Sequence, residues 1–386
     1  MRFKYYLLYI FTFFIFLVIL ITSFGNKENK SLNQISVDVD KESIKKDFII
    51  LKNDPRTLKI NSFFNKKYKN RVFNGNILFA EKGQIITSNS YGYSNFRSKE
   101  KLTKNHSFQL ASVSKPFTAI AILQLIEKGE INLNDTLQKF FPNFPYKKIT
   151  IHQLLSHRSG MSKYTHFCDA PDSIWPDKNL TINNKDVIEI MSKIVPLINY
   201  PPGKRYYYCN TNYLLLASIV EKVSGMSFKH YMKKNIFIPI QMNNTNVYNR
   251  TNYKELILPV QGYENKTPWE DVYLNGVVGD KGVYSTTLDM LKFDRALKSN
   301  LLLSDSLKEL AFSKMNKDFS GLKNYGYGFR LKQHNIYGKI VYHTGWWKGF
   351  RSYFIKVMEK DQTIIVLNNV KRGRFLNIDN LIELIN

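Results

Sequence analysis

Apolar residues in the first third of the chain follow two different spacings. Gly83 lies in a short turn between two apolar runs, residues 76–80 and 84–88, and this arrangement predicts a β-hairpin. Before the hairpin, apolar side chains recur three or four residues apart, which predicts an amphipathic helix; they are Ile60, Phe63, Phe64 and Tyr68. We therefore expect the folded domain to open with a helix followed by paired strands.

The middle and the end of the chain differ in pattern. Residues 112–300 are mostly helical by apolar spacing, whereas the end returns to strand patterns and closes with a short helix at 378–385. The late strand candidates are residues 339–343, 352–358 and 363–367. Two early and three late strands predict an α/β (α+β) fold: an antiparallel sheet of about five strands from both chain ends, with flanking helices and an inserted, mostly helical subdomain.

An uncharged apolar run at the N-terminus predicts export. Arg2 and Lys4 precede eighteen uncharged residues, 5–22, a length close to the roughly 20 residues that span a bilayer as a helix. Small residues after the run also allow cleavage, so a signal-anchor and a signal peptide both remain open, and we favour the anchor. In either case the rest of the chain is expected outside the cytoplasm, in the periplasm or at the cell surface. The predicted divisions are a signal-anchor or signal peptide (1–25), an extracytoplasmic spacer (26–55) and a folded domain (56–386).

Composition limits the classes of partner. The 386 residues are 44% hydrophobic, enough for a large core, and carry a net charge of +25. The basic residues are dispersed and no zinc-finger spacing accompanies them, so no specific nucleic-acid partner is expected. No H-E-x-x-H or C-x-x-C pattern occurs, so a metal site is not expected. Cys168 and Cys209 are expected to be buried thiols, although sequence alone leaves a bridge open.

A serine and a lysine stand at the start of an almost entirely apolar segment. Pro116 lacks an N–H, a loss that a helix tolerates only near its start, so the helix is predicted to begin near Ser112. Ser112 and Lys115 are three residues apart and share a helix face, where the first N–H groups can also stabilise an anion. The same S-x-x-K spacing also arises by chance, and serine is a common helix cap.

Two later segments contain residues suited to proton transfer and to substrate binding. Tyr208 and Asn210 lie two residues apart before a helical run, and a phenol beside a lysine can move protons to and from a serine. His343, Thr344 and Gly345 end a predicted strand, where glycine allows a substrate to approach the backbone. Taken separately, the two segments are equally consistent with aromatic packing of a loop and an ordinary strand end.

The motifs S-x-x-K, Y-x-N and H-T-G, in this order, resemble those of the serine β-lactamase and penicillin-binding protein superfamily, specifically its class C β-lactamase and DD-peptidase-like branch. The resemblance covers roughly residue 56 to the C-terminus. It includes further blocks at residues 108–115, 133–135, 149–160 and 282–286. It implies a β-lactamase/transpeptidase-like fold without a cofactor.

The resemblance also implies a role for each matched residue. Ser112 would be the acylated nucleophile, Lys115 would polarise it, and Tyr208 would move protons between nucleophile, leaving group and water. The oxyanion would lie between the main-chain N–H groups of Ser112 and Trp346. The substrate would contact Asn210, His343, Thr344 and Gly345.

One departure from the family pattern affects the expected substrate. His343 stands where the β-lactamases carry lysine, which removes a permanent cation, so efficient β-lactam hydrolysis is not expected. The expected function is an extracytoplasmic serine hydrolase acting on an amide or ester carbonyl of a small molecule or peptide, including cell-wall peptides. It would be a peptidase of the D-amino-acid or DD-peptidase type, or an esterase. The alternative is a non-catalytic or slow-turnover module that binds penicillin or peptidoglycan peptides.

Two further polar residues are given structural interpretations. Lys281, beside Gly282, is expected to be an exposed loop charge, and the alternative is that it reaches the substrate. His157 matches a structural loop of the same family and is expected to pack that loop rather than to act in catalysis.

Overall fold

The computed structural model describes residues 48–168, 177, 179–248, 256–316 and 323–386. The chain divides into two units, Met1–Lys41 and Glu42–Asn386, and every described residue belongs to the second. The predicted signal-anchor or signal peptide (1–25) and most of the predicted spacer (26–55) therefore lie outside the described residues. Within the described ranges, none of the helices has the length and apolar character needed to cross a membrane.

The α-helices of the described part alternate with loops through the middle of the chain. In order they are α1 (Arg56–Lys69), α2 (Lys115–Glu127), α3 (Leu137–Phe140), α4 (Ile151–Leu155), α5 (Tyr164–Phe167), α6 (Asn184–Ile194), α7 (Asn210–Ser224), α8 (Phe228–Met232), α9 (Thr287–Lys298), α10 (Asp305–Ala311) and α11 (Ile378–Ile385).

The longer strands lie toward both ends of the chain, and several short strands lie between them. In order they are β1 (Gly75–Glu81), β2 (Gln84–Tyr91), β3 (Tyr93–Asn95), β4 (Glu100–Lys101), β5 (Phe108–Gln109), β6 (Asn246–Val247), β7 (Tyr263–Glu264), β8 (Thr267–Pro268), β9 (Val283–Ser285), β10 (Lys323–Tyr325), β11 (Arg330–His334), β12 (Gly338–Trp347), β13 (Phe350–Val357), β14 (Gln362–Asn368) and β15 (Val370–Lys371).

The main sheet unites the two ends of the chain, as predicted. Seven strands of the described part form it in the order β10-β11-β12-β13-β14-β1-β2, and every neighbouring pair is antiparallel. The expected number was about five. The additional strands, β10 and β11, are short and rich in lysine, arginine and glutamine, so they lack the apolar alternation that identifies a strand in sequence.

The two faces of the sheet are covered by different helices. On one face, Ile60 and Phe64 of α1 and Leu381 and Ile385 of α11 join an apolar cluster with the sheet. On the other face lies α2, in which every residue from Lys115 to Leu125 is buried. A helix that is buried on all sides occupies the centre of a domain, and α2 packs directly against α7 there.

Two local features add detail to the sequence expectation. The inserted middle is not helical throughout, because β5, β9 and β6 form a small sheet beside the start of α2. In addition, residues 49–51, assigned to the spacer, pair with β2: the Leu51 N–H donates to the Ile85 carbonyl and the Ile85 N–H to the Ile49 carbonyl, each at 2.8 Å. Contacts of the folded unit therefore begin before Arg56.

Candidate active site

Ser112 lies in a tight turn between β5 and α2. Residues Ala111–Ser114 form a 3₁₀ turn, and α2 follows with Pro116 in its first turn. The helix predicted to begin near Ser112 thus begins with a tighter turn. Ala111 has φ +50°, in the left-handed region that non-glycine residues seldom adopt. Backbone strain of this kind persists where the surrounding structure enforces it, and it concentrates at functional sites.

Lys115 is directed at the serine. Its side chain is fully buried, and its Nζ lies 3.0 Å from the Ser112 Oγ. A second bond, 2.9 Å long, runs from the same Nζ to the main-chain oxygen of Asp280. The ammonium is therefore fixed from two sides, and one of its bonds is made to the predicted nucleophile.

Tyr208 completes the predicted trio. The Lys115 Nζ lies 5.1 Å from the centre of the Tyr208 ring, and the guanidinium carbon of Arg330 lies 5.0 Å from it. Cations at this distance are attracted to the ring face. The structure thus brings Ser112, Lys115 and Tyr208 together from two distant stretches of chain.

His157 holds the loop that carries Tyr208. Its carbonyl accepts from the Tyr207 N–H at 2.8 Å, and its Nδ1 accepts from the Cys209 N–H at 3.2 Å. The His157 and Tyr208 rings lie 4.2 Å apart. Burial, together with the nearby Lys115 and other cations, lowers the pKa of His157 well below its usual value, so the ring is a neutral acceptor. These contacts agree with the loop-packing interpretation.

Gly345 allows β12 to approach the serine turn. A Cβ at this position would lie 2.2 Å from the Leu110 carbonyl oxygen and 3.0 Å from the Ser112 nitrogen. The hydroxyl of Ser352, opposite Gly345 in β13, donates to the same Leu110 carbonyl. The close approach that requires glycine is therefore made by the protein's own backbone, whereas the sequence argument assigned it to a substrate.

His343 is buried and neutral. Its side chain is fully buried, its Nδ1 donates to the Thr344 carbonyl at 2.8 Å, and its Nε2 accepts from the Tyr325 hydroxyl at 3.1 Å. Burial, Arg330 and Lys115 hold the pKa of His343 well below its usual value. A neutral imidazole with both nitrogens bonded cannot serve as the cation for a substrate carboxylate, so this geometry favours support of the strand over charge recognition.

The other predicted contact residues lie near this centre. Asn210 is the first residue of α7, directly after the Tyr208 loop, and it is half-buried like Thr344. Within the described part of the chain, the Asn210 Oδ1 is buried and has no hydrogen-bond partner. A buried acceptor without a partner is costly unless a ligand supplies one. Cys168 and Cys209 are buried thiols, and burial raises the pKa of Cys209, which makes it unreactive.

Two basic residues at the site were missed or misplaced by sequence reasoning. Arg330, on β11, was not singled out, because a polar strand two residues after a glycine gives no functional signal. Lys281 was expected to be exposed, but its side chain is only 3% accessible. The pattern could not reveal this burial because the groups around Lys281 come from distant segments.

A cavity of about 340 Å³ is lined in part by Gln109, two residues before the serine turn, and by Trp347, which follows Trp346 in the chain. Its lining combines aromatic side chains with amide, carboxylate and lysine groups, and includes Tyr248, Trp269, Asp271, Tyr284 and Phe350. Such a mixed lining is typical of small-molecule pockets. In the described ranges, no group of three or more histidine, cysteine or acidic residues could hold a metal ion.

Comparison with known proteins gives consistent matches. A family profile described as Beta-lactamase matches residues 63–384. Penicillin-binding protein 4* of Bacillus subtilis (strain 168) is 36% identical over 311 residues, which cover 77% of this chain and 68% of that protein. Teichoic acid D-alanine hydrolase of Staphylococcus aureus is 26% identical over 334 residues, covering 85% and 77%. The structure of a penicillin-binding protein homologue from Pyrococcus abyssi aligns with a TM-score of 0.70 and 26% identity, covering 81% of this chain and 73% of that one.

These matches confirm the expected fold class and family. The profile spans nearly all of the described unit, and the solved relative shares its arrangement of antiparallel sheet and helices. The three motifs that suggested the resemblance lie inside the matched region. The chain therefore belongs to the β-lactamase family and is a serine hydrolase related to the penicillin-binding proteins.

Proposed function

We propose that the protein hydrolyses an amide or ester through an acyl-enzyme intermediate on Ser112. The observation that carries this proposal is the 3.0 Å contact between the Lys115 Nζ and the Ser112 Oγ, with the Tyr208 ring 5.1 Å from the same Nζ. A nucleophile bonded to a basic group, with a second proton carrier beside it, is the arrangement that covalent catalysis requires.

The chemistry proceeds in two balanced steps. The Ser112 oxygen attacks the carbonyl carbon and gives its proton to the Tyr208 oxygen, which acts as the base in its phenolate form beside the Lys115 ammonium. The carbonyl oxygen becomes an anion between the main-chain N–H groups of Ser112 and Trp346. When the C–N or C–O bond breaks, Tyr208 returns the proton to the leaving amine or alcohol. Water then attacks the acyl carbon and gives a proton to the Tyr208 oxygen; the bond between the acyl carbon and the Ser112 oxygen breaks, Tyr208 returns the proton to Ser112, and the acid is released.

The site's electrostatics support an anionic transition state. Lys115 and Arg330 flank Tyr208, while His157 and His343 are neutral because burial and these cations lower their pKa values. Positive charge held in a buried site stabilises a developing oxyanion more strongly than it would in water.

The names of the relatives narrow the substrate class. One is a penicillin-binding protein and another hydrolyses D-alanine from teichoic acid. The neutral His343 removes one route to recognising a β-lactam carboxylate. We propose a D-aminoacyl amide or ester as substrate, in which Asn210, Thr344 and the strand at Gly345 contact the acyl group. The aromatic cavity beside Trp347 would then hold the part of the substrate next to the scissile bond.

We also propose that this domain works outside the cytoplasm. The support is the sequence alone: Arg2 and Lys4 precede the uncharged residues 5–22, which suit a signal-anchor or a signal peptide. Fractionation of cells that express the full chain tests the location. Recovery of the folded domain in the cytosol would contradict it.

A side-by-side assay tests the activity. The purified protein and its Ser112→Ala variant are given a D-Ala-D-Ala peptide, a D-alanyl ester and a chromogenic cephalosporin. We expect turnover of the peptide or the ester by the wild type only, and little turnover of the cephalosporin. Tight binding of penicillin with no turnover of any substrate would instead indicate the peptidoglycan-peptide binding module.

A further inference from the structure

Lys281 is a second buried lysine beside the site, and the mechanism above does not use it. Its Nζ donates to the Tyr164 hydroxyl and to the Val277 carbonyl, each at 2.9 Å. The ring of Trp347 covers it, with the Nζ 5.0 Å from the ring centre. A buried ammonium is costly unless it is paired, so this position needs an explanation.

A continuous chain of contacts links Lys281 to the nucleophile. The Tyr164 hydroxyl donates to the Asp280 Oδ2 at 3.0 Å. The main-chain oxygen of the same Asp280 accepts from the Lys115 Nζ at 2.9 Å, and Lys115 bonds to Ser112. Asp280 therefore interacts with Lys281 through its carboxylate, by way of Tyr164, and with Lys115 through its main-chain oxygen.

The charge on Lys281 is needed by Asp280. The Asp280 Oδ1 lies 3.7 Å from the Lys281 Nζ, and among the described residues this buried oxygen has no hydrogen-bond partner. Without the ammonium, the carboxylate would keep only the Tyr164 hydroxyl, and a buried unpaired carboxylate is strongly unfavourable. Its segment would then be free to shift, and with it the carbonyl that fixes Lys115.

Lys281 loses its proton at a pH that solution experiments can reach. Burial lowers its pKa to about 8, with Asp280 acting to raise it and Lys115 to lower it further; Cys168 has a smaller raising effect. Tyr164, the remaining titratable neighbour, stays protonated because burial and Asp280 raise its pKa well above the usual value. Lys281 therefore changes charge near pH 8 while its bonded neighbour Tyr164 does not.

We propose that Lys281 is a positioning residue: its ammonium holds the Asp280 carboxylate, through Tyr164 and directly, so that the Asp280 carbonyl aims Lys115 at Ser112. This inference rests on the proposed acyl-enzyme function and adds a residue outside the three motifs. Lys281 itself need not contact the substrate.

The test measures how fast a fluorophosphonate probe labels Ser112 between pH 6 and pH 10. In the wild type, the labelling rate should fall as pH rises through about 8, when Lys281 loses its proton. Lys281→Arg keeps its charge and should move this decline to higher pH. Lys281→Met should label about tenfold or more slowly at pH 7, since small misplacements of a catalytic group are costly, and should lack the decline near pH 8.

A matched control separates positioning from general loss of a buried ion pair. Lys356 is 4% accessible and its Nζ lies 2.8 Å from the Asp294 Oδ1, on β13 away from Ser112. Lys356→Met should be destabilised, yet label at the wild-type rate with the wild-type pH profile. If Lys281→Met does not fold, the wild-type and Lys281→Arg profiles decide, together with Tyr164→Phe, which should slow labelling while keeping the decline.

Thermal stability gives an independent reading of the same titration. The folded-state pKa of Lys281 lies below its unfolded value of 10.5, so the unfolded chain binds more protons between about pH 8 and 10.5. The contribution of Lys281 to the free energy of unfolding therefore rises with pH over the window in which labelling falls. The loss of labelling is then not caused by unfolding.

The possible outcomes separate the two proposals. Absence of label on Ser112 in the wild type would refute the acyl-enzyme function itself. Wild-type labelling of Ser112 that is unchanged in rate and profile by Lys281→Met would overturn only the positioning role. A decline near pH 8 that Lys281→Arg leaves in place would overturn it as well.

Discussion

The two faces of the main sheet differ in the polar and charged groups that they bury. Toward α1 and α11, alternate residues of β12 such as Ile340 and Tyr342 join a cluster of aliphatic and aromatic side chains. Toward α2, Val341 and His343 of β12 are buried, the histidine together with Lys115 and, farther along, Asp280 and Lys281. Burial of apolar side chains stabilises the fold, whereas burial of charged groups costs free energy. The second face also buries apolar sheet residues such as Val341 and Phe354, so we infer that both faces stabilise the domain and that the second, in addition, holds groups that function requires.

The largest expected contrast comes from Ser112 on the active-site face. Ser112→Ala should lower turnover by about 10⁴-fold or more, because covalent catalysis is lost. The melting temperature should stay close to that of the wild type, since a half-buried hydroxyl is removed without leaving a large cavity. Hydrolysis assays and thermal unfolding of the same preparation check both parts. Turnover within tenfold of the wild type would contradict the nucleophile assignment.

The opposite face should respond in the opposite way. Phe64 is fully buried and its ring lies 4.9 Å from that of Phe73. Phe64→Ala should reduce the free energy of unfolding by about 3–5 kcal/mol, because it leaves a cavity. Urea unfolding measures this loss, and kcat per folded molecule should be unchanged. An unchanged stability with a reduced kcat would show that the two faces are not separable in this way.

Tyr208 tests the proton-transfer part of the active-site face. Tyr208→Phe keeps the ring between Lys115 and Arg330 but removes the hydroxyl. Turnover should fall by about 100-fold or more, as expected for loss of a general acid–base group, with little change in stability. Steady-state kinetics with the preferred substrate supply the measurement. Near-normal turnover would assign proton transfer to Lys115 alone.

The two neutral histidines should make stability depend on pH. The folded-state pKa values of His157 and His343 lie well below the usual 6.5, so below pH 6.5 the unfolded chain binds more protons. Stability should therefore fall as pH drops below 6.5, by up to about 1.4 kcal/mol per pH unit for each histidine. His343→Gln should reduce this slope. Unfolding at several pH values provides the test, and an unchanged slope would mean that His343 is charged in the fold.

The smallest effect is expected at the cavity beside the site. Trp347→Ala removes an indole whose Nε1 donates to the Asn275 Oδ1 at 2.7 Å. The KM should rise about tenfold with a smaller change in kcat, equivalent to about 1.4 kcal/mol of binding. Trp346→Ala is the matched control, since that side chain is 47% exposed and its loss should matter less. Equal increases in KM for the two variants would contradict a role of the cavity in substrate binding.

Much of the sheet was accessible from sequence, and particular residues show why. The spacing of Ile60 and Phe64 predicted α1, and the turn at Gly83 predicted the β1–β2 hairpin, because each signal is local. Strands β10 and β11 were missed, since they gain their pairing from β12 rather than from their own polar sequences. Local pattern identifies elements that bury a regular apolar face, and it fails for elements held by their neighbours.

The site residues also fall into two groups, those found from local motifs and those whose properties depend on contacts between distant segments. Ser112, Lys115 and Tyr208 were selected as candidates because their motifs resemble those of a known family. The burial of Lys281 and the position of Arg330 beside Tyr208 depend on contacts between segments far apart in the chain. The charge of His343 could not be predicted from the sequence either, because burial and two nearby cations lower its pKa. Tertiary surroundings, rather than residue type, determine these properties.

Mass spectrometry of the folded protein after reaction with a fluorophosphonate or a labelled penicillin tests the central claim most directly. The account predicts a single covalent adduct, located by peptide mapping on the peptide that contains Ser112 and absent from Ser112→Ala. An adduct on a different residue, or no adduct on a protein shown to be folded, would contradict it.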